Sequence, residues 1–390
     1  MHLRENAVPS DTRMSIRSML RMERCWRLLV VWGFAVLAIW TLSYRISRDP
    51  HVAAKSPRAP KTAIAAMSAW DGTHYEAIAK QGYSTSGPDI RGFNFFPLYP
   101  KAAGLLGGTS QAMVAGVIIS QLMALASMLL MSAMAHGSKP APLLREPGFW
   151  MLLDPFSFFL FSFYTESTFL FLTLVHYAAF RCDRPKVSFL AGFLAGLTRP
   201  TALVLPALLG VEALRRKSRG ENWKITAVCA MAPLIALALY VIGYVGWRTG
   251  NINGYMEMSH RYWPQSVAFP FRLYIESLGV TIRKIAMGTI PEFGILIRTL
   301  STTAVLGVLI TRRKSIEPAL MAYAVATLIF VHAISPLRST GRFELVLFPV
   351  FFALAASGLA RLRLVWIVVP ACAWLWMTAF VHFASWDWIA

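Results

Sequence analysis

The residues able to do chemistry in this chain sit in short polar islands between apolar runs. The densest island is Trp70-Asp71-Gly72-Thr73-His74-Tyr75, followed by Gly82-Tyr83 and by Phe95-Phe96-Pro97-Leu98-Tyr99-Pro100. Asp71 is placed to act as general base on a hydroxyl; the alternative is that it caps the helix beginning there. His74 lies three positions further on, so the two share a helical face and can influence each other's proton transfer. Glu166, in Tyr164-Thr165-Glu166-Ser167, is expected within membrane depth, where an acid costs about 2.5–3.5 kcal/mol and is by default a functional candidate. A structural pair with Arg199 of Thr198-Arg199-Pro200 is the other reading, and the two are compatible. Arg199, Arg338 and Arg342, and with a weaker claim Arg261, carry guanidinium groups that bind phosphate bidentately. An arginine at a helix end also simply snorkels to the interface. Trp70, Tyr75, Phe96, Tyr99 and Tyr164 are the aromatic residues expected to contact substrate. Asp154, followed by Pro155, is expected to bond backbone groups freed at a kink.

What must hold these groups is a membrane. The 390 residues are 56% apolar and only 15% charged, with a mean hydropathy of +0.52, a balance that excludes a soluble globular domain. The formal charge of +19 does not point to nucleic acid. Many Lys and Arg residues fall in short loops between apolar segments, where orientation and anionic lipid account for them. Cys25, Cys182, Cys229 and Cys372 are scattered without metal or disulfide spacing.

About eleven helical spans follow from apolar length, near 28–46, 111–135, 148–163, 166–180, 187–198, 201–214, 225–247, 292–311, 317–334, 344–360 and 364–383. They predict an all-α, polytopic membrane protein with a basic N-terminal tail (1–27) and a single transmembrane domain (28–390). The density of Lys and Arg in alternate loops places the N-terminus in the cytoplasm and residues 47–110 and 248–290 on the outer face. Within the first outer segment, Ala63–Gln81 is expected to form one amphipathic helix on the membrane surface. The middle spans are short, so their tips should stop inside the membrane around a polar cavity.

No phosphate-binding glycine loop, dinucleotide fingerprint, nucleophile elbow or H-E-x-x-H appears, so no soluble cofactor is expected. A divalent metal is compatible with an acid-rich site but is not indicated.

The run W-D-x-x-H-Y-x-x-I-A-x-x-G-Y (Trp70 to Tyr83), then Phe95–Pro100, resembles the PIG-V family of mannosyltransferases, which are polytopic GT-C glycosyltransferases. Asp154-Pro155 through Tyr164-Thr165-Glu166-Ser167, Thr198-Arg199-Pro200, and Arg342-Phe343 with Phe348-Pro349 match its further segments. Asp154, Thr165 and Pro200 depart from its usual residues. The resemblance implies a GT-C-like bundle with an extracytoplasmic juxtamembrane helix. It also implies a polyprenyl- or dolichyl-phosphate sugar as donor, mannose first, used with inversion on a lipid-linked or glycan acceptor. Asp71 would be the base, His74 and Glu166 would assist it, and arginines would hold the departing phosphate. A bacterial plasma membrane is favoured over endoplasmic reticulum. The competing class is a transporter or flippase of lipid-linked substrates, which also uses broken spans and intramembrane charge.

Overall fold

In a computed structural model of the chain, the structure describes residues 22–85, 92–137, 139, 141–263, 266–335, 339–357 and 365–387. Residues 1–21 of the basic tail and Arg338 lie outside these. Five helices are long and apolar enough to cross a membrane: Trp26–Arg48, Leu98–His136, Lys224–Thr249, Phe293–Arg312 and Val365–Ala384. Apart from a two-residue antiparallel pair, Ser266–Val267 with Ile334–Ser335, the described residues are helices and turns.

Large apolar side chains such as Phe34, Leu37, Leu239 and Trp366 face outward, while the interior holds buried polar residues such as Ser120, Thr173 and His176 beside an aromatic core that includes Phe156, Phe158, Phe159 and Phe163. The helix Arg272–Ala286 packs on Phe293–Arg312 through Ser277 to Thr299 (2.6 Å) and Tyr274 to Thr303 (2.9 Å), leaving Ile275, Ile282 and Ile285 exposed. Polar residues as glue and apolar residues outside are what lipid requires, because lipid gives no hydrophobic drive for helices to associate.

The shorter segments depart from uniform helices where proline and buried hydroxyls intervene. The stretch expected as a span over 148–163 is a helix Pro147–Leu152, a bend, and a 3₁₀ turn Ser157–Leu160. At the bend Asp154 Oδ1 accepts from the Phe156 N–H at 2.8 Å and Ser157 Oγ donates to Leu152 O at 2.8 Å, the kink role expected of Asp154. Glu166–Arg181 and Pro185–Gly196 form a short helical hairpin. A 3₁₀ turn, Pro200–Val204, then leads into Pro206–Ser218, and among the described residues 345–357 the helix is Phe348–Ala355.

Two further expectations change in the first motif region. The helix predicted to begin near residue 111 runs from Leu98 to His136, kinked at Gly108 (φ 57°). Gly104 is why the earlier part packs so closely: a Cβ there would stand 2.5 Å from Ala79 O on the neighbouring helix. The single helix predicted over Ala63–Gln81 is broken into α1 (Ala63–Met67) and α2 (Asp71–Gln81).

The bundle has two distinct ends. At one, Arg181 lies 3.0 Å from Glu317, Tyr177 donates to Glu317 at 2.6 Å, and Arg216 sits over the Phe180 ring. At the other end, α2 meets the loops and turns that carry Glu166, Arg199 and Arg342.

Candidate active site

The break before α2 aims Asp71. Trp70 has φ 60° and ψ −115°, a conformation that costs a non-glycine residue on the order of 1–3 kcal/mol and persists only when its surroundings over-determine it. They do so here. The Trp70 indole Nε1 donates to Phe383 O at 3.2 Å, and its ring lies against Trp386 at 5.1 Å. The Tyr164 hydroxyl donates to Ala69 O at 2.7 Å and accepts from the Asp71 N–H at 3.2 Å, so one phenol ties both sides of the bend. Trp70 occupies the cap position without a side-chain cap bond to the helix, and Asp71, its N–H satisfied by Tyr164, is the first helical residue rather than the cap. We expect Tyr164→Phe, which removes both ties, to lower stability by about 1–3 kcal/mol, checked by the melting temperature of the purified variant in detergent.

The freed carboxylate meets Arg342, whose Nη1 lies 2.6 Å from Asp71 Oδ2. Arg342 Nε stands 2.8 Å from Glu166 Oε1, and Arg199 Nη1 stands 2.6 Å from the same oxygen. The result is a chain of alternating charge, Asp71–Arg342–Glu166–Arg199, drawn from four separate segments. Glu166 opens the helix Glu166–Arg181, where the helix dipole favours an acid. Arg199 is extended before Pro200, as that proline requires. Arg342 lies on α3 (Thr340–Glu344), which approaches so closely that a Cβ on Gly341 would overlap the Phe156 ring.

Burial grades along this chain. The Glu166 side chain is 0% exposed, those of Arg199 and Arg342 are 3% and 8%, and that of Asp71 is 21%. The Phe343 ring lies between the guanidiniums, 4.8 Å from Arg199 Cζ and 5.4 Å from Arg342 Cζ. Tyr164 covers Arg342 at 5.3 Å. Two acids and two guanidiniums make the cluster formally neutral, which is what low-dielectric burial demands. Of these contacts the Arg342–Asp71 pair is a hydrogen bond; those on Glu166 are ion pairs by distance, and both Glu166 oxygens, Arg199 Nη1 and Nη2 and Arg342 Nε have no hydrogen-bond partner among the described residues.

No family model and no curated protein matches the sequence, but solved structures do. ArnT from Cupriavidus metallidurans bound to undecaprenyl phosphate matches with a TM-score of 0.53 at 16% identity, over 92% of this chain and 69% of that one. Its apo state matches with 0.50 at 15% identity, over 92% and 76%. ArnT is a GT-C glycosyltransferase. The chain has the GT-C fold.

Within this GT-C fold the remaining candidates take varied positions. Tyr75 is buried in a cage of Phe95, Tyr99, Phe163 and Tyr164, and burial pushes its hydroxyl well above the usual tyrosine range. The His74 ring stacks on Phe95 at 4.6 Å and meets the edge of Trp263. Phe96 packs on Tyr240 and Tyr255. The Tyr99 hydroxyl donates to Gly116 O at 2.8 Å, within the core. The aromatic-proline run is therefore mainly a wall that holds α2 rather than an open surface. Arg261 is exposed, with its guanidinium over the Tyr262 ring. A cavity of about 310 Å³ lined by His74, Ala77, Ile78, Gln81, Gly82 and Tyr83 flanks α2; none of the four charged residues lines it.

A second polar knot escaped the sequence reading. Glu344, at the end of α3 and fully buried, accepts from Ser301 (3.0 Å) and Thr302 (2.6 Å) and lies 3.1 Å from His332 Nε2. His332 in turn stacks on Phe271. The knot anchors the five-residue helix that presents Arg342. Its signal was available: an acid at the edge of an expected span, 344–360, is a functional candidate by the same argument that picked out Glu166.

Proposed function

We propose that this protein transfers a sugar, mannose in the first instance, from a polyprenyl- or dolichyl-phosphate donor to a lipid-linked or glycan acceptor. The observation that carries the reading is Asp71: the most exposed member of a buried chain of alternating charges, at one end of a GT-C bundle, with two guanidiniums behind it. ArnT, which shares the fold, is bound to undecaprenyl phosphate, and the W-D-x-x-H-Y motif supports the PIG-V assignment and hence mannose.

The chemistry needs few groups. The acceptor hydroxyl attacks the anomeric carbon opposite the phosphate, with inversion, and Asp71 takes its proton. The phosphate leaves with the bonding electron pair, so no general acid is required; guanidinium stabilises the charge that develops, in a setting where low dielectric strengthens the effect. Glu166 orients the two arginines. The basic end of the bundle, with Arg181, Arg216 and Arg312, faces the cytoplasm, and Asp71 faces outward at a bacterial plasma membrane.

The test supplies membranes holding the protein with radiolabelled polyprenyl-phosphate mannose and, in parallel, with a nucleotide-linked mannose. Label should pass to a lipid or glycan product from the lipid-linked donor alone. Transfer from the nucleotide sugar when lipid-phosphate sugar synthesis is blocked would overturn the assignment.

A further inference from the structure

Arg342 is asked to do two things. Its guanidinium holds Asp71 through Nη1 at 2.6 Å and stands on Glu166 through Nε at 2.8 Å, yet the proposed reaction also needs cationic charge on the leaving phosphate. Among the described residues the cluster holds no cation without a carboxylate beside it: Arg199, whose Nη2 has no hydrogen-bond partner, stands on Glu166 through Nη1 and is the more buried of the two arginines. A donor phosphodiester therefore brings a negative charge to a neutral group and must share a guanidinium already in use.

We infer that Arg342 is a counter-ion shared by the base and the leaving group, and that it passes from Asp71 to the phosphate as the sugar is transferred. This rests on the reading of the site as a lipid-phosphate-sugar transferase. The geometry makes the hand-over directional. The Glu166 contact lies at full burial, whereas the Asp71 contact lies at the 21%-exposed end where a ligand can compete. The faces of the guanidinium are covered by Tyr164, Phe159 and Phe343, so partners exchange at its edge.

The charge balance of the step fits the same movement. The acceptor O–H bond breaks and its proton goes to Asp71, which becomes neutral. The acceptor oxygen bonds to the anomeric carbon. The bond from that carbon to the phosphate oxygen breaks, its electron pair stays on the phosphate, and the phosphate goes from one negative charge to two. One negative charge has left Asp71 and one has appeared on the phosphate, with the site total unchanged. Arg342 follows that charge by a side-chain rotation while Glu166 keeps its other edge in place.

A short-chain polyprenyl monophosphate, the leaving group itself, is the probe. Its Kd is measured in detergent on the full chain, for wild type, Asp71→Asn, Asp71→Ala, Arg342→Met and Asp71→Asn/Arg342→Met. Removing the competing carboxylate should tighten binding about two- to fivefold, the worth of one partly exposed ion pair. Arg342→Met should weaken binding, and Asp71→Asn should then add nothing, the signature of coupling through one group. The Ala variant repeats the measurement if Asn folds poorly. Equal Kd for wild type and both Asp71 variants would overturn the shared counter-ion and leave the transferase reading intact. Failure of wild type to bind the monophosphate would overturn both.

Discussion

Asp71→Asn is expected to reduce sugar transfer by on the order of 10³-fold or more at unchanged protein level, the upper range for loss of a general base. The amide keeps the shape of the side chain, and the backbone ties to Tyr164 do not involve the carboxylate. Trp70 keeps its bond to Phe383 O, so the bend should persist. Transfer assayed in membranes with saturating donor, beside quantitation of folded protein, checks this. Activity within tenfold of wild type would remove Asp71 as the base. His74, stacked on Phe95 and edge-on to Trp263, is expected to show a smaller effect on substitution to Gln, because these contacts locate it as part of the wall.

The second large effect is on stability. Glu166 is the centre of the charged chain, with both guanidiniums on one oxygen. Glu166→Ala would leave Arg199 and Arg342 buried and facing each other with only Asp71 to offset them. Breaking a buried pair from one side costs about 3–5 kcal/mol, since the remaining charge is uncompensated. Glu166→Ala is thus expected to fold poorly or melt far below wild type in detergent. Pairing it with Arg199→Met should restore much of the loss, because the excess positive charge is removed with a side chain of similar length. If the double variant were no more stable than Glu166→Ala, the cost would have to lie elsewhere than in unpaired charge.

The charged residues were legible in the sequence because charge at membrane depth is expensive and therefore rare. Glu166 and Arg199 stand on neighbouring tips, and their pairing was one of the two readings the sequence offered. The link from Asp71 to Arg342 was not legible. The two lie 271 residues apart, and no local periodicity encodes such a contact. The break of Ala63–Gln81 was hidden for a related reason: nothing in the local propensity of Ala69-Trp70-Asp71 favours a positive φ at tryptophan, and the contacts that impose it come from Tyr164, Phe383 and Trp386. The glycines at 104, 107 and 108 read as the end of an outer loop, whereas Gly104 serves close packing against Ala79 inside a helix that begins at Leu98. Glu344 and His332 sat at the edges of expected spans, where the apolar run drew attention away from two polar residues that bond each other.

The Trp70 bend also sets an order of assembly. The carbonyl that receives its indole belongs to Phe383, 313 residues later. At about 5–20 residues per second, roughly 15–60 s of synthesis separate the two. Until the helix Val365–Ala384 has inserted, Trp70 lacks both its hydrogen-bond acceptor and the Trp386 ring, and the strained bend has too little to hold it. A nascent chain therefore carries its acid in the membrane without yet aiming it. The aim of that acid becomes a property of the finished bundle, set only when the helix Val365–Ala384 has reached its place.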